Sequence, residues 1–384
     1  MTRPERLRVA FLAGTLVQHG AEKQLVYMAE SLRTAGVDVR AYTLGEGEYY
    51  EERLERAGIP VERVGAPAGR GRRLVRITRA LRRFRPHVVQ AGHFYTSLYV
   101  ALAARWSGAV ALGAIRSDTH YDLASMGAMG HPSLRLPPSL LANSYAAREN
   151  ARRLGVSGER IYVLHNVIDP AELDGALGPR APEFDVASPV AVLAARLVPA
   201  KRIDRFLAAL ALARTTAPAL RGLVIGDGPE RERLEAAARA LGLDQSAVEF
   251  RRATTDLRAV LREVQLLALT SDHEGFPNVI LEAMLAGLPV VTTPAGDSGL
   301  VVVEGTTGFV VPYDDAQLLA ERLARLARSP DLRAELGGNG ACRALRDYTI
   351  RGLAARLLRI HGAAAEQQGR SDLLPTIGQY IMGP

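Results

Sequence analysis

The chain has 384 residues, longer than a single hydrophobic core usually grows, so two domains are expected. Apolar residues make up 48% and charged residues 23%, a globular balance that excludes a disordered or fibrous chain. The formal net charge of +7 suits phosphate-rich ligands, an anionic membrane surface or nucleic acid without choosing among them.

Aromatic residues are only 5%, too few to line a basic groove with stacking groups, which counts against a nucleic-acid binder. Cys342 is the single cysteine, so an intrachain disulfide and a cysteine-held zinc or iron–sulfur site are both excluded. Lysine occurs only at Lys23 and Lys201, and both fall inside motifs described below.

The opening MTRPERLRVAFLAG sets charge beside a short apolar run and lacks the apolar stretch and cleavage site of a signal peptide; a cytoplasmic protein is expected. Strands are predicted at 7–12, 37–44, 88–91, 110–115, 140–142 and 161–164, with helical periodicity between them. The apolar stretch Leu98 to Ile115 is interrupted by Arg105, Gly108 and Gly113 and reads as helix, turn and strand rather than a membrane span. Before the third predicted strand, Leu74, Ile77, Leu81 and Phe84 form one helical stripe and seven arginines between Arg72 and Arg85 occupy the remainder. That pattern fits a packed helix with a solvated basic face, or peripheral docking on anionic lipid.

The stretch 170–189, rich in Pro, Gly and acidic residues, reads as an interdomain linker. Strands then resume at 190–193, 223–225, 248–250, 265–270, 289–293 and 308–311, separated by helices at 203–214, 229–241, 278–286 and 316–327. The expected fold is α/β, with two lobes of parallel βαβ units, and ligand sites belong at the carboxyl ends of the strands. The lobes are placed at 1–178 and 179–345, followed by a C-terminal helix and tail at 346–384 that crosses back to the first lobe or frays.

The segment SDHEGFPNVILEAMLAG, residues 271–287, encodes a strand end, a tight loop and a helix. Pro277 suits the first helical turn and Gly287 the helix stop, so amides near Asn278, Val279 and Ile280 form a natural diphosphate seat. Glu274 precedes that seat and Glu282 lies eight positions later, so the two carboxylates face different parts of one ligand; a carboxylate accepts two hydroxyls well. Each is otherwise an ordinary loop or helix glutamate. Arg196 and Lys201, in AARLVPAKR, supply the countercharge a diphosphate needs, or else are plain surface cations. The chain has no Asp-x-Asp pair, and Asp272-His273-Glu274 makes a poor magnesium site, so no metal or other cofactor is expected. Gly226 and Gly228 in GDGP let backbone approach a base or phosphate closely, or simply turn the chain. Gly20 and Lys23, in GAEKQ, open a first-lobe helix after a glycine loop.

With these motifs in order, the chain resembles glycosyltransferase family four, of GT-B fold. GAEKQL, LANSYAARENARRLGVSGERIYVLHNVID, AARLVPAKR, GDGPERERL, SDHEGFPNVILEAMLAGLPVVTT and EGTTGFVVP match it in sequence order over most of residues 7–325. The resemblance implies two Rossmann-like lobes with sheets facing an interlobe cleft, and a retaining hexosyl-type transfer from a nucleotide sugar, UDP-sugar favoured, to a hydroxyl acceptor. It implies that Arg196 and Lys201 contact diphosphate, Glu274 the transferred sugar, Gly275, Phe276, Pro277, Asn278, Val279 and Ile280 phosphate and sugar, and Glu282 ribose. Where the family often has a catalytic His after the fourth first-lobe strand, this chain reads AIRSDTH. Arg116 takes that place, Asp118 and His120 become candidate catalytic groups, and His93, Arg116 and Lys23 candidate acceptor contacts. Asn166 and Asp169 match the linker-side pair, and Asp297 stands where relatives carry Gly. The implied partners are a nucleotide sugar and an unidentified hydroxyl acceptor; the basic helix adds the alternative of peripheral contact with an anionic membrane at its inner face. A phosphorylase, an epimerase and a catalytically silent nucleotide-sugar binder are the alternatives; the charged trio Glu274, Arg196 and Lys201 argues against the silent one, and a dinucleotide oxidoreductase lacks its glycine fingerprint after the first strand.

Overall fold

The computed structural model describes residues 6–65, 69–173 and 188–381. The predicted linker falls largely on 174–187, outside the described residues. By its contacts the chain divides into two compact units, one of Met1–Asn166 with Ile350–Pro384 and one of Val167–Thr349.

In the first unit, β1 (Arg8–Ala13), β2 (Asp38–Thr43), β3 (Val61–Arg63), β4 (Val88–Ala91), β5 (Val110–Ile115), β6 (Ser139–Ala142) and β7 (Ile161–Val163) form one parallel sheet in the order β3-β2-β1-β4-β5-β6-β7. All were anticipated within a residue or so except β3, an edge strand whose three residues carry two charges and leave no period-2 signal. The sequence-predicted numbering is therefore short by one beyond it, and AIRSDTH follows the fifth strand, not the fourth.

The second unit repeats the plan with β8 (Val190–Ala194), β9 (Arg221–Ile225), β10 (Val248–Arg251), β11 (Leu266–Leu269), β12 (Val290–Thr292) and β13 (Gly308–Val310), ordered β10-β9-β8-β11-β12-β13. Central strands are buried along their whole length, as β4, β5 and β11 show, because helices cover both faces of a parallel sheet. In each unit the strand order reverses beside the first strand, between β1 and β4 and between β8 and β11. Crossovers leave in opposite directions there, which opens a crevice at the carboxyl ends.

The helix Arg70–Phe84 buries Ile77, Leu81 and Phe84 in the first core, each worth about 1.5–3 kcal/mol relative to exposure. Helix Ser97–Ser107, a left-handed Gly108 and β5 account for the apolar stretch from 98 to 115. Among the described residues no helix is long and apolar enough to cross a membrane.

The C-terminal helix Leu353–Gln367 packs against helix Gly20–Thr34 and β5. Its His361 is fully buried and donates from Nε2 to Gln90 Oε1 of β4 at 2.9 Å, the orientation a neutral ring allows. Burial pulls His361 down to about 3. The unfolded chain thus binds a proton that the fold excludes between that value and the ordinary one, so stability falls as pH drops through about 6.5. We expect His361→Gln to flatten the melting-temperature slope between pH 7 and pH 5; an unchanged slope would remove His361 as its source.

Candidate functional site

In the second unit the crevice is built from the loops after β8 and β11. The β8 loop carries Arg196, runs through the turn Pro199–Lys201 and enters helix Ile203–Arg214 through a left-handed Arg202. Its first part is zipped to the GDGP turn, with Leu197 N donating to Asp227 O at 2.9 Å and Glu230 N to Leu197 O at 3.1 Å. A Cβ on Gly226 would stand 1.8 Å from Ala195 O, and one on Gly228 2.3 Å from Leu197 O. Both glycines also have φ values, 150° and 159°, that side chains rarely allow. Their close approach is to the backbone that carries Arg196. Arg196 itself is exposed and has no side-chain hydrogen bond or ion pair among the described residues.

Lys201 is placed differently. Its Nζ stands 2.5 Å from Glu274 Oε1, with both side chains largely buried at 18% and 11% exposure, and Ser271 Oγ donates to the same oxygen at 2.8 Å. Sequence reasoning gave the two residues separate tasks; folding makes them one ion pair. Asp272 accepts from Arg202 Nη1 at 3.1 Å and from Arg205 Nη2 at 2.9 Å, while Arg205 Nη1 reaches Thr270 O at 2.6 Å. Burial alone would raise the Asp272 carboxyl, but the two guanidinium groups outweigh it and hold it below its ordinary value. Asp272 N donates to Ala200 O at 2.9 Å and Thr270 Oγ1 to Arg202 O at 2.9 Å, so the two loops are bolted together around the pair.

Helix Asn278–Leu285 follows at once. Pro277 is its N-cap rather than a member of the first turn, a correction to the sequence reading. Ile280 N donates to the Pro277 carbonyl at 3.2 Å, which removes one of the three amides expected in the seat. At the other end Gly287, at φ 72°, closes a Schellman turn, with Gly287 N to Met284 O and Leu288 N to Ala283 O both at 2.9 Å. Glu282 lies on this helix and is partly buried. Asp297 is buried, and its N–H points to Gly275 O at 3.3 Å; a Cβ on the preceding Gly296 would meet that same oxygen at 2.3 Å. The loop at 294–299 thus supports the Glu274 loop. Among the described residues no group of three or more His, Cys, Asp or Glu is arranged to hold a metal ion.

In the first unit the matching crevice holds His93, after β4. Gly14 N donates to its Nδ1 at 3.0 Å, which leaves the proton on Nε2, 3.1 Å from Glu22 Oε1 though poorly aligned with it. Thr15 Oγ1 donates to the same Glu22 oxygen at 2.6 Å. Burial would raise Glu22, but His93 and Thr15 together hold it below its usual range. Gly20 is the exposed first residue of helix Gly20–Thr34, and Lys23 lies one turn on with its Nζ 5.8 Å from the Tyr27 ring.

Arg116, after β5, sets Nη2 3.5 Å from Met28 Sδ, and burial pulls its guanidinium down to about 10. Asp118 caps helix Thr119–Met126 by accepting from His120 N at 2.8 Å, and the His120 residue is exposed. Asp122 accepts from Ser117 Oγ at 2.6 Å. Burial pushes Asp122 up to about 7, with Asp118 adding to the rise and Ser117 opposing it.

Residues 179–343 match the family described as glycosyl transferases group 1, and residues 19–172 match Glycosyltransferase Family 4, so the two matches take in most of both units. The chain belongs to the family 4 glycosyltransferases. Its two parallel α/β units are the GT-B fold: they resemble Anabaena HepE, solved with UDP and glucose, at TM-score 0.79 and 21% identity over 92% of this chain and 99% of that one. They also resemble TarM of S. aureus at TM-score 0.77 and 12% identity, over 94% and 100% of the two chains. Among curated relatives, the Vi polysaccharide biosynthesis protein VipC/TviE of Salmonella typhi is 38% identical over 29% of this chain and 20% of its own length. The GDP-mannose-dependent alpha-(1-6)-phosphatidylinositol monomannoside mannosyltransferase of Mycolicibacterium smegmatis is 31% identical over 45% and 47%. The chain spans between 16% and 34% of the length of the first three curated relatives it matches.

For this family 4 chain, sequence reasoning missed Glu22, Ser271, Arg202, Arg205 and Asp122. Arg202 and Arg205 are one helical turn apart beside the crowded charges of Ser271–Glu274, a detectable spacing. Glu22 gave no signal, since its partner is 71 positions away. An acid held above its ordinary value favours the fold while protonated, so Asp122 costs stability as pH rises from about 4 to 7. Asp122→Asn is expected to raise the melting temperature more at pH 8 than at pH 5; equal shifts at both would show that Asp122 is ionised freely.

Proposed function

We propose that the chain moves a hexosyl group from a nucleotide diphosphate sugar, with UDP-sugars favoured, to a hydroxyl acceptor in glycan, glycolipid or natural-product biosynthesis, retaining anomeric configuration and using no metal ion. The observation that carries the reading is the Lys201–Glu274 pair just before helix Asn278–Leu285, with Arg196, unpaired among the described residues, on the same loop as Lys201. A diphosphate brought to that helix end would meet Arg196, which has no partner among the described residues, and Lys201, which it must share with Glu274. Arg196 chelates its oxygens through a fork of N–H donors, Lys201 follows the negative charge as it develops, and helix amides complete the seat. Glu274, relieved of part of its lysine, accepts sugar hydroxyls, and Glu282 accepts the ribose diol. The preorganised cations are worth most where charge appears, at the departing nucleoside diphosphate. Attack on the same face through an oxocarbenium-like state then gives retention.

Support for the donor class comes from HepE, solved with UDP-glucose and with UDP and glucose, while the mycobacterial relative is named for GDP-mannose. Incubation with a panel of UDP-, GDP- and ADP-sugars, with mass detection of product and anomeric analysis, separates these. The reading includes work at the inner face of a membrane, supported by the exposed arginines of helix Arg70–Phe84.

Glu274→Ala, and Arg196→Ala combined with Lys201→Ala, are expected to lower transfer by about a hundredfold or more with the fold intact, the scale of losing a transition-state electrostatic partner. Near wild-type turnover in either variant overturns the assignment. Turnover should persist in excess chelator; strict dependence on a divalent ion would remove these cations from the leaving-group role.

A further inference from the structure

The charges gathered after β8 and β11 are not equally well answered. Asp272 is held by two arginines, and both are occupied there: Arg202 spans Asp204 and Asp272 at 3.1 Å each, and Arg205 divides between Asp272 at 2.9 Å and Thr270 O at 2.6 Å. Glu274 has a single cation. Lys201 is its one charged partner among the described residues, and Glu274 is the one side-chain partner of Lys201 there.

Both contacts to Glu274 fall on the same oxygen. Lys201 Nζ lies 2.5 Å from Oε1 and Ser271 Oγ donates to that Oε1 at 2.8 Å, which leaves Oε2 without a partner among the described residues. Ser271 is fixed in place. It is fully buried, its carbonyl accepts from Thr293 Oγ1 at 2.6 Å, and the next residue, Asp272, donates its N–H to Ala200 O at 2.9 Å. Lys201 is free to follow an anion, because its ammonium is a point charge on a flexible stem.

A complete donor therefore acts on this pair differently from a spent one. The diphosphate draws Lys201 away from Glu274, and sugar hydroxyls on the carboxylate replace the donor it has lost. A nucleoside diphosphate without its sugar draws Lys201 and returns nothing. It leaves a carboxylate whose side chain is 11% exposed with one hydroxyl donor and no cation, since Arg202 and Arg205 are committed to Asp272. A charge stranded in that way opposes the binding that stranded it.

We propose that the Lys201–Glu274 pair discriminates against the nucleotide product, weakening the hold on a nucleoside diphosphate once the sugar has left and so favouring its exchange for fresh donor. The inference rests on the donor site proposed above and gives Glu274 a part in ligand selection besides its part in transfer.

The test is calorimetric binding of three probe pairs, UDP with UDP-glucose, GDP with GDP-mannose and ADP with ADP-glucose. The proteins are the wild-type chain, Glu274→Gln, Glu274→Ala, Lys201→Ala and Glu274→Gln combined with Lys201→Ala. Two substitutions at 274 are used because Gln keeps the side-chain volume while Ala leaves Ser271 nothing to bond. We expect both to bind the bare diphosphate about tenfold tighter than wild type, and the matching nucleotide sugar no tighter or more weakly. With Lys201→Ala present, the gain from Glu274→Gln should shrink below about threefold, because no lysine is left to release.

Unchanged or weaker binding of the bare diphosphate in both Glu274 variants overturns the proposal. Equal tightening of diphosphate and nucleotide sugar, or a full gain without Lys201, also overturns it and assigns the effect to plain charge repulsion. Sugar transfer by the wild-type chain alongside any of these results removes this inference and leaves the donor reading standing. Failure of the wild-type chain and both Glu274 variants to bind any of the six probes removes the donor reading, and this inference with it.

Discussion

A parallel strand buried on both faces has no room for charge along its length, and that exclusion organises the chain. Polar chemistry is displaced to strand ends, where amides, helix starts and solvent supply partners. At the reversal of strand order the two neighbouring crossovers part, and the displaced residues can converge. His93 with Glu22 in one unit, and Lys201 with Glu274 in the other, occupy equivalent places after the first and fourth strands or their counterparts.

Convergence of charge is costly unless each group is answered, and the second unit answers its charges in pairs. Asp272 takes two arginines, Glu274 takes Lys201 and a serine hydroxyl, and the loops carrying them exchange backbone bonds. Breaking such a pair from one side strands the other charge in a low-dielectric pocket, at about 3–5 kcal/mol when fully buried. Arg196 stands outside this arrangement, exposed and unpaired among the described residues, which is the state a cation needs to receive an incoming anion.

The first unit is tied by long-range contacts. The C-terminal helix returns to it, and Gln368 Nε2 donates to Ala111 O at 3.0 Å while its Oε1 accepts from Ala111 N at 3.0 Å, pairing like a strand residue against β5. Residues more than 200 positions apart therefore complete one core, so loss of the tail uncovers a sheet face rather than a free end.

Strand and helix positions were legible because periodicity is local: the stripe through Ile77, Leu81 and Phe84 needs only 3.6 residues per turn to announce its buried face. The Glu274 block was legible for a similar reason, since strand end, loop, helix start and Gly287 stop are consecutive. The edge strand β3 was not, because a short, exposed strand has no apolar pattern to read. The sequence by itself determined the α/β class, the order of elements and the family. Only the tertiary structure decided that Lys201 answers Glu274, that Gly226 and Gly228 accommodate the Arg196 loop, and that Ile280 spends its amide on Pro277. Those are through-space facts, set by which loops the strand order brings together, and spacing along the chain does not encode them.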